Sequence, residues 1–222
     1  MTIGLSEMAA PKKRTSATGE ETQARIVAAT IRTLKAEGIK GTSARAIARE
    51  GDFNQALIFY HFGSVDELVI ASVAELSTKR MARHQVRLEE ADKLSDLIRI
   101  ARVLNAEDRA DDNMTVLTQA FAGAAGDPEM GPKLYDELEP WNRMLSESIV
   151  RVLGHSPIAQ AVPHEKIAQA IGALFLGIEL LDDLDPERAN AEQLFDTLEP
   201  LATMLENLLD SPLLQALNQQ PS

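Results

Sequence analysis

The sequence predicts an all-α protein, an N-terminal three-helix head containing a helix-turn-helix followed by a larger C-terminal helical body. Three observations lead there. Ala, Leu and Glu are frequent while only 4% of the 222 residues are aromatic, and no window alternates apolar and polar residues with the period of two that a half-buried strand requires. Apolar residues recur instead at three- and four-residue steps, between breaks marked by Gly, Pro and Asp. Finally, Thr42 to Phe62, TSARAIAREGDFNQALIFYHF, divides into two short helical patterns around a Gly-containing break. That is the arrangement of a helix-turn-helix, whose second helix enters a DNA major groove.

Taken in order, residues 1–19 show no periodicity and are rich in Ala, Ser, Thr and Gly, which predicts a disordered basic arm. Its Pro11-Lys12-Lys13-Arg14 run either lies along a neighbouring minor groove or merely solubilises the chain. Residues 20–37 form one amphipathic helix, with Val27, Ile31 and Leu34 at i, i+4 and i+7 beside Ile26, and Gly38 ends it. Arg25 and Arg32 sit on its polar face, facing phosphate or solvent. Lys40 and Thr42 in the following loop are candidate phosphate contacts. Ser43 caps the next helix, which buries Ala46 and Ile47 and turns Arg45 and Arg49 outward. Gly51 stands where a departing chain commonly needs positive φ, Asp52 extends the turn, and Phe53 returns to the core. Asn54 caps the second helix, 55–62, which Gly63-Ser64 stops.

In that second helix the side chains nearest the N-terminus face base edges. Gln55 is the leading candidate for readout, because its amide matches the N6 and N7 edge of adenine. Ala56 and Leu57 have no hydrogen-bonding end and serve only to pack on a thymine methyl or to permit close approach. Arg45 is the cation best placed for the backbone. Ile47, Phe53, Ile58 and Phe62 fall on the core side.

Ser64 with Asp66-Glu67 predicts the start of a connecting helix over 65–86, apolar at Leu68, Ala71, Val73 and Leu76. Its basic end, Lys79, Arg80, Arg83 and Arg87, either answers the helix dipole or passes a change in the body to the head. The body is expected to hold helices at about 92–107, 112–125, 128–153, 164–183 and 188–209, with a short apolar tail after Pro212. Pro140 should kink or split the third of these. The domains are thus 1–19, 20–66 and 67–222.

The run Ile47-Ala48, Gly51-Asp52-Phe53, Asn54 and Ile58-Phe59-Tyr60-His61-Phe62, followed by Ser64-Val65-Asp66-Glu67-Leu68, closely resembles the tetracycline-repressor-like (TetR-type) family of bacterial transcriptional regulators. The specific resemblance covers roughly Ile26 to Leu68. It implies double-stranded DNA contacts from Thr42, Ser43, Arg45, Asn54, Gln55, Ala56, Leu57, Phe59, Tyr60 and His61, with Tyr60 and His61 at phosphates. It also implies a homodimer through the last two long helices, with Ala168, Gly172, Phe175, Leu176, Leu194, Leu198, Leu201 and Leu205 as the interface; burial within the chain is the alternative for these. Met114, Leu117, Phe121, Trp141, Met144, Leu145 and Phe175 lie in helices that in similar proteins surround a cavity, so a small apolar or amphipathic ligand is expected there, or else a solid core. Three residues depart from the pattern: Phe59 where Tyr is usual, Val65 where Lys often holds phosphate, and Leu57 where Thr is common. Each removes a polar contact.

The net charge of −12 is unevenly spread. Residues 1–63 carry 9 Lys and Arg against 6 Asp and Glu, whereas residues 64–222 carry 13 against 28. A basic head drawn to phosphate and an acidic body repelled by it restrict docking to one face. There is no Cys, hence no disulfide and no thiolate metal site. No run of about 18 apolar residues suggests a membrane span, and a cytoplasmic location is expected. The four histidines lack metal-ligand spacing. Asp182-Asp183-Leu184-Asp185 lacks the Gly and terminal Glu of a calcium loop, and no nucleophile motif is present. No enzyme, cofactor or metal is expected. The sequence thus reads as a ligand-responsive DNA-binding regulator, with a helical protein-interaction module that needs no ligand as the alternative.

Overall fold

The computed structural model describes residues 12–111, 113–153, 163–209 and 211. Residues 1–11 of the expected arm, the expected break after Leu153 and the expected tail after Pro212 lie outside them. Every described element is helical. The chain divides into two compact units, Met1–Ser72 and Val73–Ser222.

The first unit contains α1 (Lys12–Gly41), α2 (Ala44–Gly51), α3 (Ala56–Phe62) and the start of α4 (Val65–Glu89). The backbone is already helical at Lys12, where an irregular arm was expected to reach Gly19; Lys12 to Thr18 contains no Pro or Gly to oppose it. At Gly38 the helix breaks, with φ of 67°, a conformation that an L side chain resists. Ile26, Ala29, Ile47, Ile58 and Leu68 form the core of this unit, and Phe53 and Phe62 pack at its edge. Removing each Ile side chain from water contributes roughly 1.5–3 kcal/mol. Single residues at the breaks thereby fix how α2 and α3 are held.

The second unit contains the rest of α4 with α5 (Leu94–Ala110), α6 (Asn113–Ala124), α7 (Met130–Asp136), α8 (Glu139–Leu153), α9 (His164–Leu184), α10 (Pro186–Ala189) and α11 (Ala191–Leu209). α9 packs on α8 and α6, and α11 packs on α5. Short polar side chains set the helix starts. Asp127 Oδ1 accepts from the backbone N–H groups of Glu129 and Met130, both at 2.8 Å, and these bonds hold its carboxyl below the usual carboxylate range. Asp185 Oδ1 accepts from Arg188 N–H, with Pro186 in the first turn of α10. The expected helix over 128–153 is split, and the break falls at Glu137 and Leu138. Pro140 sits in the first turn of α8, where its missing N–H costs nothing. Pro200, by contrast, lies inside α11.

α4 and α5 are joined by ion pairs that were read from the sequence only as a basic helix end. Arg83 Nη1 is 2.7 Å from Asp111, and Arg87 bonds both oxygens of Glu107 at 2.6 and 2.7 Å. The third pair is buried: Arg80 donates twice to Asp108, with Nε 3.0 Å from Oδ1. Burial pushes the Asp108 carboxyl up, but the adjacent His84 ring and Arg80 outweigh it, so Asp108 lies below the ordinary carboxylate range.

Candidate DNA interface and ligand cavity

Each end of α2 is fixed by a local contact. Ser43 Oγ accepts from Ala46 N–H at 3.3 Å, so its own hydroxyl hydrogen is left to donate elsewhere. Thr42 differs, since its hydroxyl already donates to the Gly38 carbonyl at 2.8 Å. At the far end the left-handed residue is Asp52, with φ of 50°, not Gly51. Gly51 is required for space: a Cβ there would lie 2.1 Å from Cε1 of Phe53. Phe53 N–H then donates to the Ala48 carbonyl at 3.1 Å, closing the turn. Asn54 Oδ1 accepts from Ala56 N–H at 2.9 Å and starts α3.

Across α3 the burial is one-sided. Ile58 is fully buried, whereas Gln55, Ala56, Phe59 and Tyr60 are exposed, Tyr60 at 82%. Among the described residues this exposed phenol makes an edge-on contact with His61, at 4.9 Å between ring centres. Leu57 is half-buried against the head core, less open than its neighbours Ala56 and Phe59. His61 is half-buried, and Asn54 is exposed although its oxygen is engaged in the cap.

Cations on this face differ in availability. Arg49 Nη2 is 2.5 Å from Glu37 and Arg32 Nε is 2.7 Å from Glu50, whereas Arg25 stacks over Phe53 at 5.5 Å. Arg45 is exposed and makes no ion pair with the described residues. An unpaired guanidinium one residue into α2, beside the free hydroxyl hydrogen of Ser43, is suited to a phosphate oxygen.

The body contains a cavity of about 450 Å³, partly open to solvent and bordered by α4 to α9 and α11. Of the residues expected around it, Met114, Leu117, Phe121, Trp141, Leu145 and Phe175 line it, and Met144 does not. Tyr135 and Phe195 were missed, yet they complete a simple division. Of the nine aromatic residues in the chain, four lie in the helix-turn-helix and all five others line this cavity. That partition was visible in the sequence. Trp141 donates from Nε1 to Ser77 Oγ at 2.7 Å, and Arg80 lies over its ring at 4.9 Å. Adjacent to the lining, Asn105 donates to the buried Glu179 at 2.5 Å, and burial pushes the Glu179 carboxyl up to about 7.

The expected interface set separates into two groups. Ala168 is fully buried within its own chain; Gly172, Phe175, Leu176 and Leu198 are half-buried along the cavity, which Ile171 and Leu174 also border, and Leu194 packs beside Phe195 and Ile178. Leu201 and Leu205 are exposed, in line with Met204 and Leu208 on α11 and with Ile171, Leu174, Leu181 and Leu184 on α9. A stripe of small and leucine residues records that a helix packs tightly, but it does not say against what.

Residues 26–72 match the model of the tetR family of bacterial regulatory proteins. Residues 26–72 thus carry a DNA-binding domain of the tetR type. The fold agrees along most of its length. The fatty acid degradation regulator FadR from Bacillus halodurans superposes with a TM-score of 0.66 at 14% identity, over 88% of this chain and 96% of that one. The multidrug binding protein EbrR, crystallised with imidazole, gives 0.61 at 25% identity over 82% and 90%. A TetR-family regulator from Rhodococcus sp. gives 0.66 at 19% over 82% and 99%. None of the curated protein sequences matches significantly. Among the described residues no single helix is long and apolar enough to cross a membrane, and no His, Asp and Glu cluster has metal-binding geometry.

Proposed function

We propose that this chain is a regulator of the tetR type, a cytoplasmic homodimeric repressor released from a near-palindromic operator when a small apolar or amphipathic molecule enters the body cavity. The observation that carries the reading is the polarity of α3, with Ile58 fully buried and Gln55, Ala56, Phe59 and Tyr60 exposed on its other side. Gln55 reads an adenine edge at the exposed end of α3, while Arg45, Ser43 and Tyr60 hold phosphates. The aromatic-lined cavity supports the ligand, and EbrR, described as a multidrug binding protein, lends the same support from outside. The exposed leucines of α9 and α11 supply the partner face. A ligand coupled to DNA by about 1–3 kcal/mol changes operator occupancy roughly 5–150-fold.

Selection of bound duplexes from a random pool by the purified full chain tests the reading. An inverted repeat supports it; absence of any enriched sequence at low salt overturns it. Addition of candidate small molecules to the selected complex then tests release.

A further inference from the structure

We propose that the body cavity selects a lipophilic organic cation, an apolar molecule carrying one positive charge, and that Glu137 is the residue that recognises the charge. This rests on the reading of the cavity as the ligand site. Among the described residues only two charged side chains, Arg80 and Glu137, line it; the rest of the described wall is apolar, aromatic or neutral polar. Arg80 is committed. Its guanidinium donates twice to Asp108 and covers the Trp141 ring, so its charge is neutralised within the protein.

Glu137 is the opposite case. It stands between α7 and α8 and forms no ion pair with any described residue, and its immediate neighbour Asp136 adds a second negative charge. Burial first, and Asp136 second, push its carboxyl above the ordinary range. A carboxylate held at an apolar wall without a cation is costly, and a bound cation removes that cost while an anion adds to it. Tyr135, Trp141, Phe121, Phe175 and Phe195 provide the remaining selectivity, since aromatic faces attract a desolvated organic cation and its apolar substituents together. The net field of the wall is therefore negative, and its surface suits a greasy ion.

The test uses two ions of the same shape and opposite charge, tetraphenylphosphonium and tetraphenylborate, with Trp141, the only Trp in the chain, as the internal fluorophore. Saturable quenching by the phosphonium at least about tenfold tighter than by the borate is expected. Glu137→Gln should lose about tenfold of the phosphonium affinity, with an unchanged or higher unfolding temperature showing that the body is intact. Equal or tighter binding of the borate overturns the inference, as does a Glu137→Gln variant that binds the phosphonium like the parent. If neither ion binds but the neutral N-phenyl-1-naphthylamine does, the cation inference falls and the cavity reading stands. If none of the three binds, both fall.

Discussion

Gly51 and Phe53 occupy adjoining space so tightly that a single methyl group on Gly51 would lie 2.1 Å from the Phe53 ring and 2.9 Å from Cβ of Ala29. The turn of the helix-turn-helix is thus closed by packing between α1 and an aromatic two residues on. Gly51→Ala should destabilise the head by about 1–3 kcal/mol, the usual cost of overpacking, and weaken DNA binding with it. Urea unfolding measures the loss. Combining it with Phe53→Leu should restore part of the stability, because the smaller side chain yields the space; an additive double variant would place the strain elsewhere.

The Arg80–Asp108 pair should behave as a buried ion pair, with side-chain exposures of 7% and 0%. Asp108→Asn leaves the guanidinium buried without a counter-charge and should cost about 3–5 kcal/mol. Adding Arg80→Met should recover much of that, since removing both charges is far less costly than removing one. Equilibrium unfolding of the single and double variants checks this.

Glu179 gives the body a pH dependence of definite sign. Its carboxyl is pushed from 4.5 to about 7, first by burial and then by Asp108 and Asp182, against the Asn105 hydrogen bond and Arg80. The folded state therefore holds this proton more tightly than the unfolded chain. The stabilisation is fully present below pH 4.5 and is lost as pH rises through about 7. Urea unfolding between those limits should show a decline of up to about 1.4 kcal/mol per pH unit that Glu179→Gln removes. Asp108 works in the other direction, its contribution vanishing as the pH falls through its depressed range.

The partner face makes a third kind of prediction. Leu201 and Leu205 are exposed in the single chain, so replacing both with Glu should halve the molar mass seen by light scattering while the helical signal persists. Ala168→Glu should instead unfold the body, because that site has no exposure.

What the sequence disclosed depended on how local the cause was. The helix-turn-helix was legible because Ser43, Asn54 and Ser64 cap helices within two or three residues of themselves. The role of Gly51 was misread because positive φ and lack of room both select glycine, and only the fold reveals that Ala29 stands opposite. Arg80, Arg83 and Arg87 looked like a basic end answering the helix dipole because their acids lie 28 and 20 residues away on another helix. Likewise Ala168 fits an interface by pattern although it is fully buried within its own chain, and Leu198, half-buried, borders the cavity. Most of the expected cavity residues followed from the resemblance, while Tyr135 and Phe195 were missed although aromatic side chains outside the helix-turn-helix are scarce.

The most direct test of the account is salt-dependent binding of the selected duplex by the parent, Gln55→Ala and Arg45→Ala. Gln55→Ala should lose about 1–3 kcal/mol of discrimination at one base pair in each half-site and keep the salt slope. Arg45→Ala should weaken all sequences alike and reduce the log–log slope by about 0.9 for each phosphate contact removed. If both variants bind with the affinity, base preference and slope of the parent, α2 and α3 do not face the DNA as described and the account is wrong.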